Sequence, residues 1–269
     1  MIDLDNFSTF LPKCGRYGLF DSLEKIKKLI HDVELESVLS GYRDINVYYL
    51  NTLNYDDQIE YLVDKGLFFS PLARIKSFEN FGHKHEIVEK LDGNTSIYGV
   101  VSTDVKLNKK FRDFYLENDD FNMGKMLGYP ECCCRAFVDY TKRFPDPVFE
   151  IARNTPQAEI NGGCRIKLKD IPWKLQVHLR YFNLKVIPFL PCNFGCEEAD
   201  SVSEEWYRMM KEKDPETLKI LESLMIMPST WSLYNSQVIV NKPPFESSEF
   251  IGYAASGYYP TKLNIEFLM

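Results

Sequence analysis

Residues 123–143 read MGKMLGYPECCCRAFVDYTKR, and three consecutive cysteines stand near the middle of this stretch. The glycine at position 128 favours the end of one helix. Pro130, two residues later, favours the start of another helix, because the N–H that proline lacks would have no partner in a first helical turn. The stretch therefore predicts a helix that ends at Gly128 and a second helix from Pro130 to Lys142, with the cysteines at its amino terminus.

A second group of cysteines follows in PCNFGC, residues 191–196. The preceding residues LKVIPFL (184–190) predict a buried strand. The following residues EEADSVSEEWYRMMKEK (197–213) predict a helix, since the first turn is acidic and the last turn is basic, as the helix dipole favours. Both groups are thus expected beside a helix start, where unpaired backbone amides favour the thiolate, the form that binds metals and attacks electrophiles.

The rest of the chain alternates helical and strand-like patterns. Apolar residues at helical spacing predict a helix over 22–40, which Asp21 and Glu24 would open as a capping box and Gly41 would end. The expected fold class is a compact mixed α/β (α+β) protein with a helix-rich middle and a β-rich carboxy-terminal segment from residue 229 onward. Further predicted elements are strands at 45–50 and 96–102 and helices near 55–65, 105–115 and 121–127.

The chain has 269 residues and a mass of 31.4 kDa, which suit one large domain or two small ones. We expect a single α/β domain over 1–269 with a cysteine-rich central region at 124–200. The alternative is an amino-terminal α/β subdomain at 1–103 followed by a domain with the cysteine site at 104–269.

Composition excludes several classes of protein. Hydrophobic residues at 45% and charged residues at 26% are ordinary globular values, so the chain as a whole is not disordered. The net charge of −7 argues against general nucleic-acid binding. No apolar stretch is long enough to cross a bilayer, and the opening residues MIDLDNFSTFLPK lack a secretory pattern, so a cytoplasmic protein without membrane contact is expected.

The seven cysteines are placed unevenly. An odd number in a chain without a secretory signal is not a complete disulfide framework. The convergence of several thiolates suits either zinc or an iron–sulfur cluster. Adjacent residues on a helix point about 100° apart, so one of Cys132 and Cys133 is expected to be a ligand and the other a bystander or a reactive thiol. Cys164, beside two glycines, is a further candidate ligand, whereas the remote Cys14 is expected to be structural.

Two other interpretations of the cysteines remain open. Free cysteine often packs in protein interiors as a small hydrophobic residue. Alternatively, one cysteine of the triplet and Cys192 or Cys196 could form a transient disulfide as a redox couple.

Histidines give weaker signals, because the chain has only four. His178 lies between the groups of cysteines and is a candidate general base, although a histidine on an apolar helical stretch is more often structural. His83 and His85 would point apart on a helix, which favours a surface position over a metal site. His31, within the predicted helix 22–40, is expected to be structural.

The two cysteine motifs together resemble a mainly archaeal family known as domain of unknown function number four hundred and eighty-three. Its pattern is G-[KR]-x-L-G-Y-P-x-C-C-x-x-x-F, followed later by H-x-P-C-x-x-x-C. Phe189 stands where the pattern has histidine, and Cys134 lies outside the pattern. The resemblance covers roughly residues 95–210 and implies membership of the family without an established reaction. The matching residues are Gly124, Lys125, Leu127, Gly128, Tyr129, Pro130, Cys132, Cys133, Phe137, Pro191, Cys192 and Cys196.

These observations lead to one working hypothesis about function. The chain is expected to bind an iron–sulfur cluster or zinc and to support a modification or redox reaction on a small-molecule or protein substrate. Cys133 and His178 are the candidate catalytic residues, and Lys125 or Arg135 is a candidate to balance thiolate charge. The alternatives are a non-enzymatic zinc-stabilised interaction module and a metal-free thiol/disulfide redox protein. The candidate metal ligands are Cys132, Cys133, Cys164, Cys192 and Cys196.

Overall fold

The structure is a computed structural model. It describes residues 19–76, 88, 95–143, 147–161, 165–168, 171–177, 180, 184–226, 229–232, 237–241, 251–255 and 262–268. The chain forms two compact units, of which one is Glu34–Val138 and the other combines Met1–Val33 with Asp139–Met269. The divisions fall inside two continuous helices, α1 (Leu19–Leu39) and α5 (Glu131–Arg143).

The unit Glu34–Val138 is built on a three-stranded antiparallel sheet of order β1-β3-β2. Successive side chains of a strand point to opposite faces, so both faces of this sheet can be covered. On one face, Tyr48 and Leu50 pack in a core with Leu62, and on the other Ile45 packs with Phe111. The elements are β1 (Ile45–Asn51), α2 (Tyr55–Asp64), β2 (Phe68–Lys76), β3 (Thr95–Ser102), α3 (Val105–Leu116) and α4 (Asp120–Met126).

The turn that leads into α5 is held by a buried arginine. Gly128 ends α4 with a φ of +74°, a conformation that glycine adopts without a steric penalty. The Arg43 side chain is 4% exposed, and its Nε donates a hydrogen bond of 2.7 Å to the carbonyl of Leu127. Its guanidinium also lies 5.4 Å from the centre of the Tyr129 ring. These contacts fix the residues immediately before the cysteine triplet.

Helices α4 and α5 approach closely at a glycine. A Cβ atom at Gly124 would lie only 2.7 Å from Cys134 Sγ. We expect Gly124→Ala to destabilise the fold by about 1–3 kcal/mol, because the extra methyl group overpacks this contact. In a Cys134→Ala background, Gly124→Ala should lower the free energy of unfolding much less, because the sulfur atom that the methyl group would meet is absent. Urea unfolding of the wild type, the two single variants and the double variant measures the coupling energy between the two positions. If the losses in the free energy of unfolding are strictly additive, the overpacking explanation is wrong.

The second unit contains α6 (Val148–Arg153), β4 (Glu159–Asn161), β5 (Arg165–Lys167), a 3-10 turn (Trp173–Leu175), α7 (Glu197–Lys213) and α8 (Pro215–Met225). Trp206 and Met210 of α7 are fully buried, as is Leu221 of α8. Asp214 joins these two helices and caps α8, because its side chain accepts hydrogen bonds from the backbone N–H and the hydroxyl of Thr217.

Four further strands are assigned beyond α8, and with β4 and β5 they form a six-stranded sheet of order β4-β5-β6-β7-β9-β8. Their side chains and the segments that connect them lie outside the described residues. The expected β-rich carboxy-terminal segment is therefore not confirmed, whereas the mixed α+β class is. The strands are β6 (Ser229–Ser232), β7 (Gln237–Asn241), β8 (Ile251–Ala255) and β9 (Lys262–Leu268).

Most helices predicted in the middle of the chain are confirmed to within a few residues, and α7 has the predicted bounds. The capping box proposed at Asp21 is wrong, because α1 already begins at Leu19. The strand predicted at 184–190 is also wrong, since this segment is a series of bends. Pro188 and Pro191 lack the N–H groups that a strand ladder needs, which explains the difference. The segment is nevertheless mostly buried, as its apolar composition indicated.

Candidate metal centre

Four cysteine sulfurs converge in the structure. Cys132 and Cys133 belong to the first turn of α5, Cys192 lies in the segment before α7, and Cys196 is the N-cap residue of α7. All four Sγ atoms lie within 4.8 Å of one another. The described cysteines form no disulfide. Four cysteines placed so close together could coordinate a metal ion.

Both vicinal cysteines contribute to this group. The Sγ atoms of Cys132 and Cys133 are 3.8 Å apart. Both sulfurs reach the group, although the divergence of adjacent residues on a helix favoured one ligand and one bystander or reactive thiol. Cα–Cβ bonds of adjacent residues diverge by about 100° around a helix, but the freedom of χ1 allows two such sulfur atoms to approach each other.

The start of α7 supplies a backbone N–H group to one of the four sulfurs, and a side-chain amide donates to another. Cys196 Sγ accepts a hydrogen bond of 3.4 Å from the backbone N–H of Ala199. Cys192 Sγ accepts one of 3.5 Å from the side-chain amide of Asn193. Hydrogen bonds of this kind and the amino-terminal end of a helix dipole both favour the thiolate. Cys196 also donates to a carboxylate oxygen of Glu198 at 3.5 Å, a contact that is open to the protonated thiol.

The loop between Cys192 and Cys196 is fixed by residues that the sequence analysis did not single out. The Tyr140 hydroxyl donates a hydrogen bond of 2.9 Å to the backbone carbonyl of Cys192. The fully buried Phe194 donates its backbone N–H to Thr155 Oγ1 at 3.0 Å. A periodicity signal for Tyr140 did exist, because residues seven apart, such as Cys133 and Tyr140, share one face of a helix.

The two cations, either of which was a candidate to balance thiolate charge, both pair with one carboxylate. Lys125 and Arg135 form ion pairs with Glu131 at 3.2 and 2.6 Å. Their hydrogen bonds hold the pKa of the Glu131 carboxyl below its ordinary value, with Arg135 as the larger cause. All three side chains are exposed, so these pairs contribute little to stability.

The third cysteine of the triplet, Cys134, stands apart from the four. It is 4% exposed, and its thiol donates to the Tyr129 carbonyl at 3.7 Å. Burial raises its pKa from 9.0 to about 11. The chemistry of Cys134 is therefore that of a packed, protonated thiol, in keeping with its position outside the family pattern.

This pKa shift predicts a specific pH dependence of stability. The unfolded thiol loses its proton near pH 9 and the folded thiol only near pH 11, so the free energy of unfolding should fall as the pH rises between these values. The expected loss is about 2 kcal/mol. Urea unfolding across this pH range should show the loss in the wild type and a smaller one in Cys134→Ser. Parallel curves for the two proteins would contradict the prediction.

Several candidate residues lie outside the described part of the chain. They are Cys14, Cys164, His83, His85 and His178. Among the described candidates, Phe189, at the family's histidine position, is 4% exposed. The ring of His31 is exposed on α1, with Nδ1 3.8 Å from a carboxylate oxygen of Asp32. Within the described ranges, no helix combines the length and apolar composition that a bilayer span requires.

Comparison with known proteins supports the relationship that the motifs indicated. A family model described as "Protein of unknown function (DUF483)" matches residues 83–226, which include both cysteine motifs. "Uncharacterized protein MJ1106" of Methanocaldococcus jannaschii is 30% identical over 142 residues, or 51% of this chain and 61% of that protein. An "Uncharacterized protein" of Methanothermobacter thermautotrophicus is 32% identical over 84 residues, or 30% of this chain and 35% of that protein. The matched regions thus span less than two thirds of each relative. No solved structure matches the chain significantly.

Proposed function

The chain belongs to the DUF483 family, and we propose that it is a metal-binding protein in which four cysteines hold one zinc ion. The observation that carries this proposal is the convergence of the Sγ atoms of Cys132, Cys133, Cys192 and Cys196 within 4.8 Å. Thiolates are soft ligands, and four of them in a tetrahedral arrangement are typical of structural zinc.

The distances between the sulfurs favour one ion over an iron–sulfur cluster. Around a single tetrahedral ion with metal–sulfur bonds of ~2.3 Å, neighbouring sulfurs lie ~3.8 Å apart. The Cys132 and Cys133 sulfurs are 3.8 Å apart. In a four-iron cluster each cysteine binds a different iron, so the ligand sulfurs would lie about 6 Å apart. All distances among the four Sγ atoms are at most 4.8 Å, which is closer to the spacing around a single ion than to the spacing in a four-iron cluster.

The proposed centre is structural. All four coordination positions would be occupied by protein sulfur, which leaves no position for a substrate at the metal. Zinc has no redox chemistry of its own, so it would hold the four cysteines together without changing oxidation state. A reducing compartment such as the cytoplasm would keep the thiols available for the metal.

Metal analysis of protein purified without oxygen tests this proposal. We expect one zinc per chain, no visible absorption, and on replacement by cobalt the sulfur-to-cobalt charge-transfer bands of a tetrahedral thiolate site. A brown protein with several irons per chain would support the iron–sulfur alternative. A metal-free protein that takes up neither ion would refute the metal centre and leave the thiol/disulfide alternative.

Tyr140 is expected to act as a positioning residue for this centre. Its hydroxyl fixes the backbone of Cys192, so Tyr140→Phe should weaken zinc binding by about tenfold, within the range for groups that orient metal ligands. Competition with a chromophoric chelator measures the affinity. Tyr207→Phe is a matched control, because the ring of Tyr207 contacts Trp173 instead. Equal affinities in the wild type and Tyr140→Phe would show that the hydrogen bond does not position Cys192.

A further inference from the structure

The four cysteines of the proposed centre differ in their exposure. The buried pair is Cys133, which is 2% exposed, and Cys196, which is 5% exposed. The other two, Cys132 and Cys192, are only partly buried. Each pair contains one cysteine from the start of α5 and one from the segment that leads into α7. An external ligand can therefore reach one side of the group while the other side stays covered.

This asymmetry extends to the way the cysteines are held. Cys196 is fixed as the N-cap of α7 by the N–H of Ala199. Cys192 Sγ instead accepts its hydrogen bond from a side chain, the amide of Asn193, while Tyr140 holds the backbone carbonyl of Cys192. Rotation of these side chains can move the sulfur while the loop backbone keeps its place. Phe194, fully buried between the two, anchors the loop. Movement of the Cys192 sulfur thus breaks a hydrogen bond between side chains, whereas movement of the Cys196 sulfur would remove the cap of α7.

We propose that the centre exchanges its ion with external thiol ligands through Cys132 and Cys192, while Cys133 and Cys196 retain the ion in the intermediate. This inference rests on the metal centre proposed above and adds a role in metal transfer to it. The partner is defined by its chemistry as a compact dithiol, carried by a small molecule or by another protein.

The exchange balances without an oxidant or a reductant. One thiol of the acceptor loses its proton to solvent and its sulfur forms a bond to the metal. The bond from the metal to Cys132 or Cys192 breaks, and the released thiolate takes up a proton. A second exchange of the same kind leaves the ion bound by two acceptor sulfurs and by Cys133 and Cys196. A second dithiol then replaces these two cysteines in the same way, their thiolates take up protons, and the ion departs with four acceptor sulfurs bound.

The rate law of metal transfer tests the inference on the unmodified full chain. Cobalt-loaded protein is mixed with increasing concentrations of dithiothreitol, and the loss of charge-transfer absorption is followed. If the acceptor attacks the metal, the rate should rise in proportion to the dithiol concentration. A rate that stays constant as the dithiol concentration rises would overturn the inference, because the ion would then leave before the acceptor binds.

Alkylation during transfer identifies the exchanging sulfurs without any substitution. A pulse of iodoacetamide followed by peptide mass spectrometry should label Cys132 and Cys192 before Cys133 and Cys196. Simultaneous labelling of all four would contradict the inference. Failure of the exchange inference is distinguishable from failure of the proposed function. A protein that never holds an ion is recognised by metal analysis, before any exchange is measured.

Substitutions of two adjacent cysteines in α5 test the same inference independently. Cys132→Ser should retain a bound ion that transfers several-fold faster than in the wild type. Cys133→Ser, its neighbour, should lose the ion because a buried ligand is missing. Equal behaviour of the two variants would contradict the division into an exchanging pair and a retaining pair.

Discussion

Replacement of Cys133 by serine is expected to weaken zinc binding by at least ~100-fold. Removal of a group that merely orients a ligand already costs up to about this factor, and Cys133 would be a ligand itself. Its sulfur lies in the converged group and is 2% exposed, so water cannot easily substitute for it. Competition titrations against a chelator of known affinity measure the effect, and circular dichroism establishes whether the variant is folded.

The neighbouring Cys134 provides the control for this experiment. It is on the same helix and is 4% exposed, but it does not belong to the group of converging sulfurs. Cys134→Ser should therefore bind one zinc ion with nearly unchanged affinity. If the two substitutions weaken binding equally, the effect comes from damage to α5 and the ligand assignment is wrong.

Removal of the metal is expected to produce the largest change in stability. An ion that binds only the folded chain stabilises it by about 4 kcal/mol when the free ion is ~1,000-fold above its dissociation constant. Chelation should abolish this contribution, because the four cysteines would no longer be held by one ion. Urea unfolding with and without chelator measures the difference. Tryptophan fluorescence is a suitable signal, since Trp206 is 1% exposed in α7.

Two comparisons make this result specific to the centre. Cys134→Ser should lose as much stability on chelation as the wild type, whereas Cys133→Ser should be insensitive to the chelator. Unfolding curves of the wild type that superimpose with and without chelator would mean that the cysteines stabilise the fold as packed thiols and that no ion is held.

The sequence predicted the helices around the site well, because their signals are local. Helix α7 combines acidic residues at one end with basic residues at the other, and its predicted bounds match the structure. The segment 184–190 was mistaken for a strand, since its apolar side chains are buried as a strand's would be. Only the prolines distinguish a buried irregular segment from a buried strand, because they lack the N–H group that would donate a hydrogen bond to a neighbouring strand.

The candidate site was predictable in its residues and less so in its geometry. Spacing and family resemblance pointed to Cys132, Cys133, Cys192 and Cys196, but the convergence of four sulfurs from segments remote in sequence has no local signal. Local helix geometry even argued against the use of both Cys132 and Cys133 as ligands, because the sequence does not indicate the χ1 rotamers of their side chains. The spacing of seven residues places Tyr140 on the face of Cys133, but the acceptor of its hydrogen bond is the backbone carbonyl of Cys192, which no residue pattern indicates.

X-ray absorption at the zinc edge tests the central claim most directly, because it reports the neighbours of the metal itself. A single ion held by these four cysteines predicts one shell of four sulfurs at about 2.3 Å. Nitrogen or oxygen ligands at about 2.0 Å in that shell would contradict the claim, as would a second metal within about 3 Å of the first.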